Sequence, residues 1–430
     1  MNFFFLVYIC LTSVMVLFII PFVLICVIVT GRYKNLVFQR LGVYPRLSHL
    51  KKHRIWLHAV SVGEVNVARA LIDALFQMHS DIDIILSTTT PRGYELACKM
   101  SHPRVQCVYS PIDFIASVRL AFHKIQPDIL VLLETEIWPN WIFTAKALNV
   151  PVVVANGRIS MKTVNSFQKI APLVRFIVRK IDAFSMISTE DAHRICKTGV
   201  SPKKVFVTGN AKFDLLEKNY SPQLSATLRN DLRIHASNFV MVAGSTRTGE
   251  EEIVLEVYQS LRKEYPDALC IIAPRHIERC SDIEGLFQKF NMAYDRYSWC
   301  KHMRYRRKPV VLVDTIGDLA GLYSIGSVVF CGGSLVPQGG QNVLEPAVWG
   351  KPVLYGPYMD DFLWARNVLE SGGGGIMVSN GMDLLEKVLF FASNKDRALS
   401  VGQKARQSVI KRAGAAKGHA QIILNVANHF

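Results

Sequence analysis

Ile55-Trp56-Leu57-His58-Ala59-Val60 runs directly into Ser61-Val62-Gly63-Glu64, after which Val67, Ala70, Leu71, Ala74 and Leu75 share one helical face. An apolar run that stops at a serine and gives way to a 3.6-residue period predicts a buried strand followed by a helix. The same change of period recurs along the chain. Further strands are expected at Ile82–Ser87, Val105–Ser110, Ile129–Leu133, Val152–Ala155, Ala183–Ser188 and Val205–Thr208. A second series follows at Phe239–Ala243, Leu269–Ala273, Val310–Val313, Val328–Cys331, Pro352–Tyr355 and Gly375–Val378. Continuous Val- and Ile-rich runs alternating with helices indicate parallel strands buried on both faces. The polar stretch Leu215–Ser237 carries no strand pattern and reads as a helical connector. The chain is therefore expected to be a two-domain, doubly wound α/β protein.

The chain has 430 residues, half of them hydrophobic, with a formal net charge of +16. That composition excludes a disordered or collagen-like chain and points to an anionic partner: nucleic acid, an anionic membrane surface or a phosphorylated substrate. The charge is unevenly placed. Residues 3–30 carry none, and no Asp or Glu precedes Glu64. Arg32, Lys34, Arg40, Arg46, Lys51, Lys52 and Arg54 follow the apolar run immediately. About 20 apolar residues suffice to span a bilayer, so 1–30 is expected to be a membrane anchor helix. The basic run then puts everything after residue 31 in the cytoplasm by the positive-inside rule. The nine cysteines are scattered without a C-x-x-C pair, as expected for free thiols in a reducing compartment, and offer no zinc-ligand spacing.

In doubly wound sheets the ligand lies beyond the carboxyl ends of the strands, so chemistry is sought in the loops there. Glu64 falls in the first turn of a helix; it is either a charge that complements the helix dipole or a general base. The fourth strand ends in Glu134-Thr135-Glu136-Ile137-Trp138-Pro139-Asn140, and two carboxylates directly after a buried strand are unusual. Trp138 reads as core packing, Glu134 as functional. Lys212, in Thr208-Gly209-Asn210-Ala211-Lys212-Phe213-Asp214, and Arg275, in Ala273-Pro274-Arg275-His276, follow strands of the two halves. Both would face the gap between the sheets, where cations stabilise charge on a leaving phosphate. Asp314-Thr315-Ile316-Gly317-Asp318 is a strand–loop–helix junction. The glycine-rich stretch Cys331-Gly332-Gly333-Ser334 through Gly339-Gly340-Gln341-Asn342-Val343-Leu344-Glu345-Pro346 is expected to present bare backbone N–H groups to a phosphate at a helix start. Glu345 would bind ribose hydroxyls. Neither stretch matches G-x-G-x-x-G or a P-loop.

Together these motifs resemble the 3-deoxy-D-manno-oct-2-ulosonic acid (Kdo) transferases of lipopolysaccharide assembly. The resemblance covers nearly the whole chain: the apolar N-terminus, Ser-Val-Gly-Glu, Glu-Thr-Glu-Ile-Trp-Pro-Asn, Thr-Gly-Asn-Ala-Lys-Phe-Asp, Ala-Pro-Arg-His and the Gly-Gly-Ser-Leu-Val to Asn-Val-Leu-Glu block. It implies a GT-B fold of two facing Rossmann-like domains with an N-terminal membrane anchor helix. The segments would be an anchor at 1–30, an acceptor-binding domain at 31–215, a CMP-sugar domain at 216–400 and a C-terminal helix at 401–430 packing back on the first domain. It implies CMP-Kdo as donor and a phosphorylated lipid A precursor (lipid IVA) as acceptor. Inversion at the anomeric carbon, no cofactor and no metal are implied as well. Glu64 would be the proton acceptor, with Glu134 and Lys212 as transition-state stabilisers. CMP would be held by Pro274, Arg275, Ile316, Gly317, Asp318, Asn342, Val343, Leu344 and Glu345. Asp318 stands where the family has Glu, and Val343 where Pro is common.

The location implied is the inner membrane, with an anionic lipid surface as partner. Members of the family add different numbers of Kdo residues. The basic segment Cys300–Pro309 matches no family motif and reads as a solvated loop or, less well, a lipid contact. A GT-B transferase using a UDP-sugar and another lipid is the alternative within the class. A nucleic-acid binder rests on net charge alone, without an RNP, KH or zinc signature, and no nucleic-acid partner is expected. A non-catalytic lipid scaffold would not need intact Glu64, Glu134, Lys212 and Arg275.

Overall fold

The computed structural model describes residues 3–30, 34–48, 53–100, 102–218 and 220–427. Arg32, Lys51 and Lys52 of the expected basic collar lie outside these. The chain forms two compact units, Met1–Leu215 with Ala413–Phe430, and Leu216–Arg412.

The first unit is built on a sheet of seven parallel strands: β1 His53–Ala59, β2 Ile82–Thr88, β3 Val105–Tyr109, β4 Ile129–Leu133, β5 Val152–Gly157, β6 Ala183–Met186 and β7 Val205–Val207. Their order is β3-β2-β1-β4-β5-β6-β7, so the winding reverses between β1 and β4. The period of two sends alternate residues into two cores. Trp56, Leu130, Leu132, Val152 and Val154 enter one, where Trp56 meets Trp141 and Phe122 at ring separations of 4.6 and 4.9 Å. Ile55, Leu57, Ile129, Val131 and Val153 enter the other, beneath the helix Val62–Met78. Both faces are covered, which is why these strands read as unbroken apolar runs.

The C-terminal helix Ala415–Ala427 shares that second core through Ala416, Ala420 and Ile423. The segment that returns to the first unit starts at Ala413 rather than 401, because the helix Lys395–Ile410 runs unbroken through 401. His419 fixes the return. Its Nδ1 lies 2.6 Å from Ser185 Oγ and its Nε2 3.0 Å from Gly209 O, so Nε2 donates and Nδ1 accepts. Ser185 Oγ also bonds Thr208 Oγ1.

The N-terminal helix α1, Phe3–Thr30, is uncharged, as the sequence requires. Among the described residues, however, no helix is long and apolar enough to cross a membrane. The spanning anchor expected at 1–30 is therefore not carried forward. The start of α1 instead docks on protein: Phe5 is buried and stacks on Phe143 at 3.8 Å, and Tyr8 O–H donates to Asp113 Oδ2 at 2.6 Å.

The second unit repeats the plan with seven parallel strands: β8 Val240–Thr246, β9 Leu269–Pro274, β10 Tyr294–Arg296, β11 Val310–Leu312, β12 Val328–Cys331, β13 Val353–Tyr355 and β14 Gly375–Met377. The order β10-β11-β9-β8-β12-β13-β14 reverses between β8 and β12. β10 escaped the sequence because it is a three-residue edge strand, Tyr-Asp-Arg, without an apolar run. The basic segment 300–309 is largely exposed, as read from its charge, and its side chains are tied to neighbouring groups. Lys301 Nζ bonds Asp318 at 2.8 and 3.1 Å, Arg307 lies over the Trp299 ring at 4.8 Å, and the Arg307 and Lys308 N–H groups donate to Asp295.

Burial lowers the pKa of His419 to about 4, so the imidazole is neutral in the fold. The unfolded chain binds the proton more readily, hence this contribution is complete above about pH 6.5 and is lost as pH falls toward 4. The difference corresponds to at most about 3 kcal/mol. Replacing His419 with Gln should flatten the acid limb of stability over this window, read as wild type minus variant in denaturant titrations at several pH values. Parallel curves would show that His419 does not carry the acid sensitivity.

Candidate active site

The reversal between β1 and β4 opens a crevice at their carboxyl ends, where a doubly wound sheet receives its ligand. Ser61 caps the helix Val62–Met78: its side chain accepts from Glu64 N–H and donates to Glu64 Oε1 at 3.0 Å. Val60 N–H donates to Oε2 at 2.8 Å. This capping box places Glu64 directly after β1 with both oxygens held. Glu64 is 5% exposed; burial first, and then the charge of Glu134, raise its pKa.

Glu134 ends β4 with a left-handed backbone, φ 54°. A non-glycine residue seldom adopts this conformation, and it aims the side chain out of the strand direction. Lys212 Nζ reaches Oε1 at 3.2 Å and Arg158 Nε reaches Oε2 at 2.8 Å. The residues singled out after β4 and β7 are thus joined directly. Lys212 is positioned by Asn210 Oδ1, which accepts its N–H at 3.0 Å, and by Asn156 Oδ1, which accepts from Ala211 N–H at 2.9 Å.

Two further members complete the cluster: Arg158, and Glu136, the second of the two carboxylates that follow the fourth strand. Arg158 follows β5, and the strand-end rule that found Glu134 would have found it. Glu136, two residues past Glu134, has its pKa raised to about 7 by burial first, then by the charges of Glu64 and Glu134. Three carboxylates and two cations therefore meet at one switch point, two of the carboxylates with a raised affinity for a proton. Such an arrangement can accept a proton near neutral pH and hold negative charge in a fixed place. Trp138 packs against the core, as read from its setting.

In the second unit the glycine-rich loop follows β12 at the β8/β12 reversal, but its backbone donors are not bare. The N–H groups of Gly333, Ser334 and Leu335 donate to the carboxylate of Glu250 at 2.6, 2.9 and 2.9 Å, and Arg247 N–H joins them at 2.9 Å. The phosphate cradle expected there is filled by the chain's own carboxylate. The helix that follows, Leu344–Ala347, is a single turn. Gly332 is required by close approach: a Cβ there would lie 2.5 Å from Thr246 Cα.

Pro274 ends β9, and Arg275 beyond it is exposed. Arg275 lies near enough to Glu345 and Tyr323 to lower both pKa values, against burial, which raises them more. Asn342 Nδ2 donates to Glu345 Oε1 at 3.2 Å. Ile316 is 83% exposed and Gly317 has φ 94°. Asp318, bound by Lys301, also accepts from Thr315 O–H at 2.7 Å. Val343 and Leu344 are wholly buried, backbone included, so neither presents a surface to a ligand in this state. Among the described residues, no group of three or more His, Cys, Asp or Glu is arranged to hold a metal ion.

Comparison with known proteins gives this geometry its family. Residues 35–215 match the family described as 3-Deoxy-D-manno-octulosonic-acid transferase (kdotransferase). The chain is 38% identical over 369 residues to a bifunctional glycosyltransferase/methyltransferase of Fusobacterium nucleatum, covering 85% of this chain and 56% of that protein, so it spans little more than half of that relative. It is 30% identical over 357 residues to the 3-deoxy-D-manno-octulosonic acid transferase of Aquifex aeolicus, covering 83% of this chain and 90% of that one. The crystal structure of a glycosyltransferase from Rickettsia africae superposes with a TM-score of 0.57 at 14% identity, covering 88% of this chain and all of the other, a likeness of fold. Two Rossmann-like units and 30% identity along nine-tenths of a Kdo transferase make this chain a GT-B glycosyltransferase that belongs to the 3-deoxy-D-manno-octulosonic acid transferase family.

Proposed function

We propose that the protein transfers Kdo from CMP-Kdo to a hydroxyl of a phosphorylated lipid A precursor, lipid IVA, with inversion at the anomeric carbon. The observation that carries the proposal is the meeting of Glu64, Glu134, Glu136, Lys212 and Arg158 at the β1/β4 reversal. Glu64 takes the proton of the acceptor hydroxyl. The acceptor oxygen bonds to the anomeric carbon as the bond to the CMP phosphate oxygen breaks, and CMP leaves with the electron pair. Glu134 and its cations stabilise the transition state by fixed charge, which needs no reorganisation during the step. Pro274, Arg275, Ile316–Asp318 and Asn342–Glu345 form the donor site, with Arg275 the cation for the CMP phosphate and Glu345 the ribose partner. The enzyme works at the anionic surface of the inner membrane, on its cytoplasmic face, and can add more than one Kdo in succession. The reaction itself is tested by incubating the protein with CMP-Kdo and lipid IVA and weighing the product; an unchanged acceptor mass overturns the reading.

Replacing Glu64 with Gln should lower kcat by about 10²–10⁴ while CMP affinity stays unchanged, the usual share of a general base. Turnover near that of the wild type would remove Glu64 from the role of base. For Lys212→Met a loss of about 10²–10³ in kcat is expected, with little change in donor KM, as for removal of one charge-stabilising donor. An effect on KM alone would make Lys212 a binding residue.

The pH profile follows from the same cluster. Because Glu64 titrates above the usual carboxylate range, activity should fall on the acid side at a higher pH than an ordinary glutamate would give. The charge of Glu64 helps to raise the pKa of Glu136, so Glu136 gains its proton before Glu64 does, and Glu136→Gln should leave the acid limb of kcat/KM in place. A limb that moves to lower pH would show that Glu136 is charged while Glu64 titrates.

A further inference from the structure

One cavity of the first unit takes no part in the chemistry above. It encloses about 240 Å³ between α1 and the carboxyl ends of β1, β2 and β3. Met15 and Val16 of α1 and the rings of Trp138 and Trp141 form an apolar wall; Arg40 and Ser110 lie on the polar side.

Arg40 is held there with its Nη2 donating to Thr89 O at 2.8 Å and its Nη1 to Ser110 Oγ at 3.4 Å. The Thr89 and Ser110 hydroxyl oxygens are 3.0 Å apart. Among the described residues no carboxylate pairs with Arg40. Asp113 lines the same cavity, but it accepts from Tyr8 O–H at 2.6 Å and Asn140 N–H at 3.1 Å. Burial lowers the Arg40 pKa and pushes that of Asp113 up to about 6. His58, with its Nδ1 bound to Ser87, is wholly buried and neutral, its pKa lowered to about 3 by burial and less by the charge of Arg40. The indole N–H of Trp141, 1% exposed, finds no partner among the described residues.

A partly desolvated guanidinium has five N–H donors, and two carbonyl or hydroxyl partners leave it short of acceptors. Without a counter-charge such a group is costly; a phosphoryl oxygen pair satisfies it in its own fork geometry. The adjoining apolar wall suits a ligand whose phosphate is attached to hydrocarbon. The cavity is also coupled to the proposed base. Arg40 bonds the Thr89 carbonyl, Thr89 N–H donates to Val60 O, and Val60 N–H donates to Glu64.

We infer that this cavity is the subsite for the phosphoryl group of an amphiphilic acceptor, with Arg40, Thr89 and Ser110 taking the phosphate and α1 lying along its apolar part. This rests on the reading of the protein as a transferase to a phosphorylated lipid. Arg40 is a positioning residue: it sets the acceptor headgroup relative to Glu64 and does not touch the reacting atoms.

The test is binding to the full chain, followed by tryptophan fluorescence, which Trp138 and Trp141 should report. The probes are a tetra-acylated disaccharide bisphosphate in detergent micelles, the same lipid without phosphates, and inorganic phosphate. Wild type should prefer the phosphorylated over the dephosphorylated lipid at least tenfold, and Arg40→Gln should abolish that preference, with Arg40→Lys retaining part of it. Met15→Phe, which narrows the cavity from α1 without touching its polar side or adding a fluorophore like those read, should weaken the phosphorylated and dephosphorylated lipids equally and guards against a folding artefact of Arg40→Gln, as does an unchanged melting curve. Preference intact in Arg40→Gln overturns the subsite. Inorganic phosphate that displaces the lipid at equal concentration would make it a free-phosphate site and overturn the assignment to an amphiphile. Because binding is read without turnover, a protein that binds as expected but transfers no Kdo would sink the transferase reading alone. In transfer assays Arg40→Gln should raise the acceptor KM tenfold or more and leave the CMP-Kdo KM unchanged.

Discussion

The carboxylate of Glu134 is the fixed point of the site. It lies at the end of a central strand, 9% exposed, with one oxygen on Lys212 and the other on Arg158. A carboxylate so nearly buried is tolerated only with partners, and its partners come from the loops after β5 and β7. The left-handed backbone at Glu134 costs of the order of 1 kcal/mol and is held because those two cations are where they are. The ends of three strands are thereby tied together by one side chain. The two nearby carboxylates, Glu64 and Glu136, then sit in the field of a charge that cannot move away, which contributes to their raised proton affinity.

The support of that fixed point extends to the far end of the chain. Lys212 opens the helix Lys212–Lys218 after a loop that starts at Thr208 and Gly209, both of which are bonded into the Ser185–His419 network. Asp214 accepts from the N–H groups of Gly414 and Ala416. A helix some 200 residues further on therefore sets the position of a cation proposed to act in the transition state. None of these groups touches the crevice, yet loosening them would displace Lys212, and small misplacements of charged groups are expensive in catalysis.

The central parallel strands were legible because a strand covered on both faces is largely apolar, and thirteen of the fourteen strands gave an apolar run, the partly exposed β3, β7 and β14 among them. β10 was not, since an edge strand of Tyr, Asp and Arg has no such constraint. Glu134 and Arg158 each directly follow a buried run, whereas Glu64 and Lys212 stand five residues past β1 and β7 and are marked only by the loops that precede them. Glu136 and Arg40 are a different case: their significance lies in which groups surround them, and that depends on β1, β2, β3 and β4 being neighbours in an order no local pattern specifies. The anchor reading of 1–30 rested on hydropathy and length alone, which cannot tell how far such a helix rests on its own protein.

The glycine-rich loop shows most clearly where pattern and chemistry part. Successive N–H groups of such a loop converge on any anion, and the pattern does not say whose anion it is. Here it is Glu250, fully buried and accepting from four backbone N–H groups. Burial raises its pKa while those bonds lower it, so the loop's conformation and the charge of one internal carboxylate are mutually dependent. The loop therefore arrives at the ligand face already shaped, with Gly332 against β8 and Asn342 capping the turn that carries Glu345. A loop ordered in advance has less entropy to lose on binding. What the glycines provide in this chain is access for an internal carboxylate that holds the loop in shape, and Arg275 is the cation proposed to meet the donor's phosphate instead.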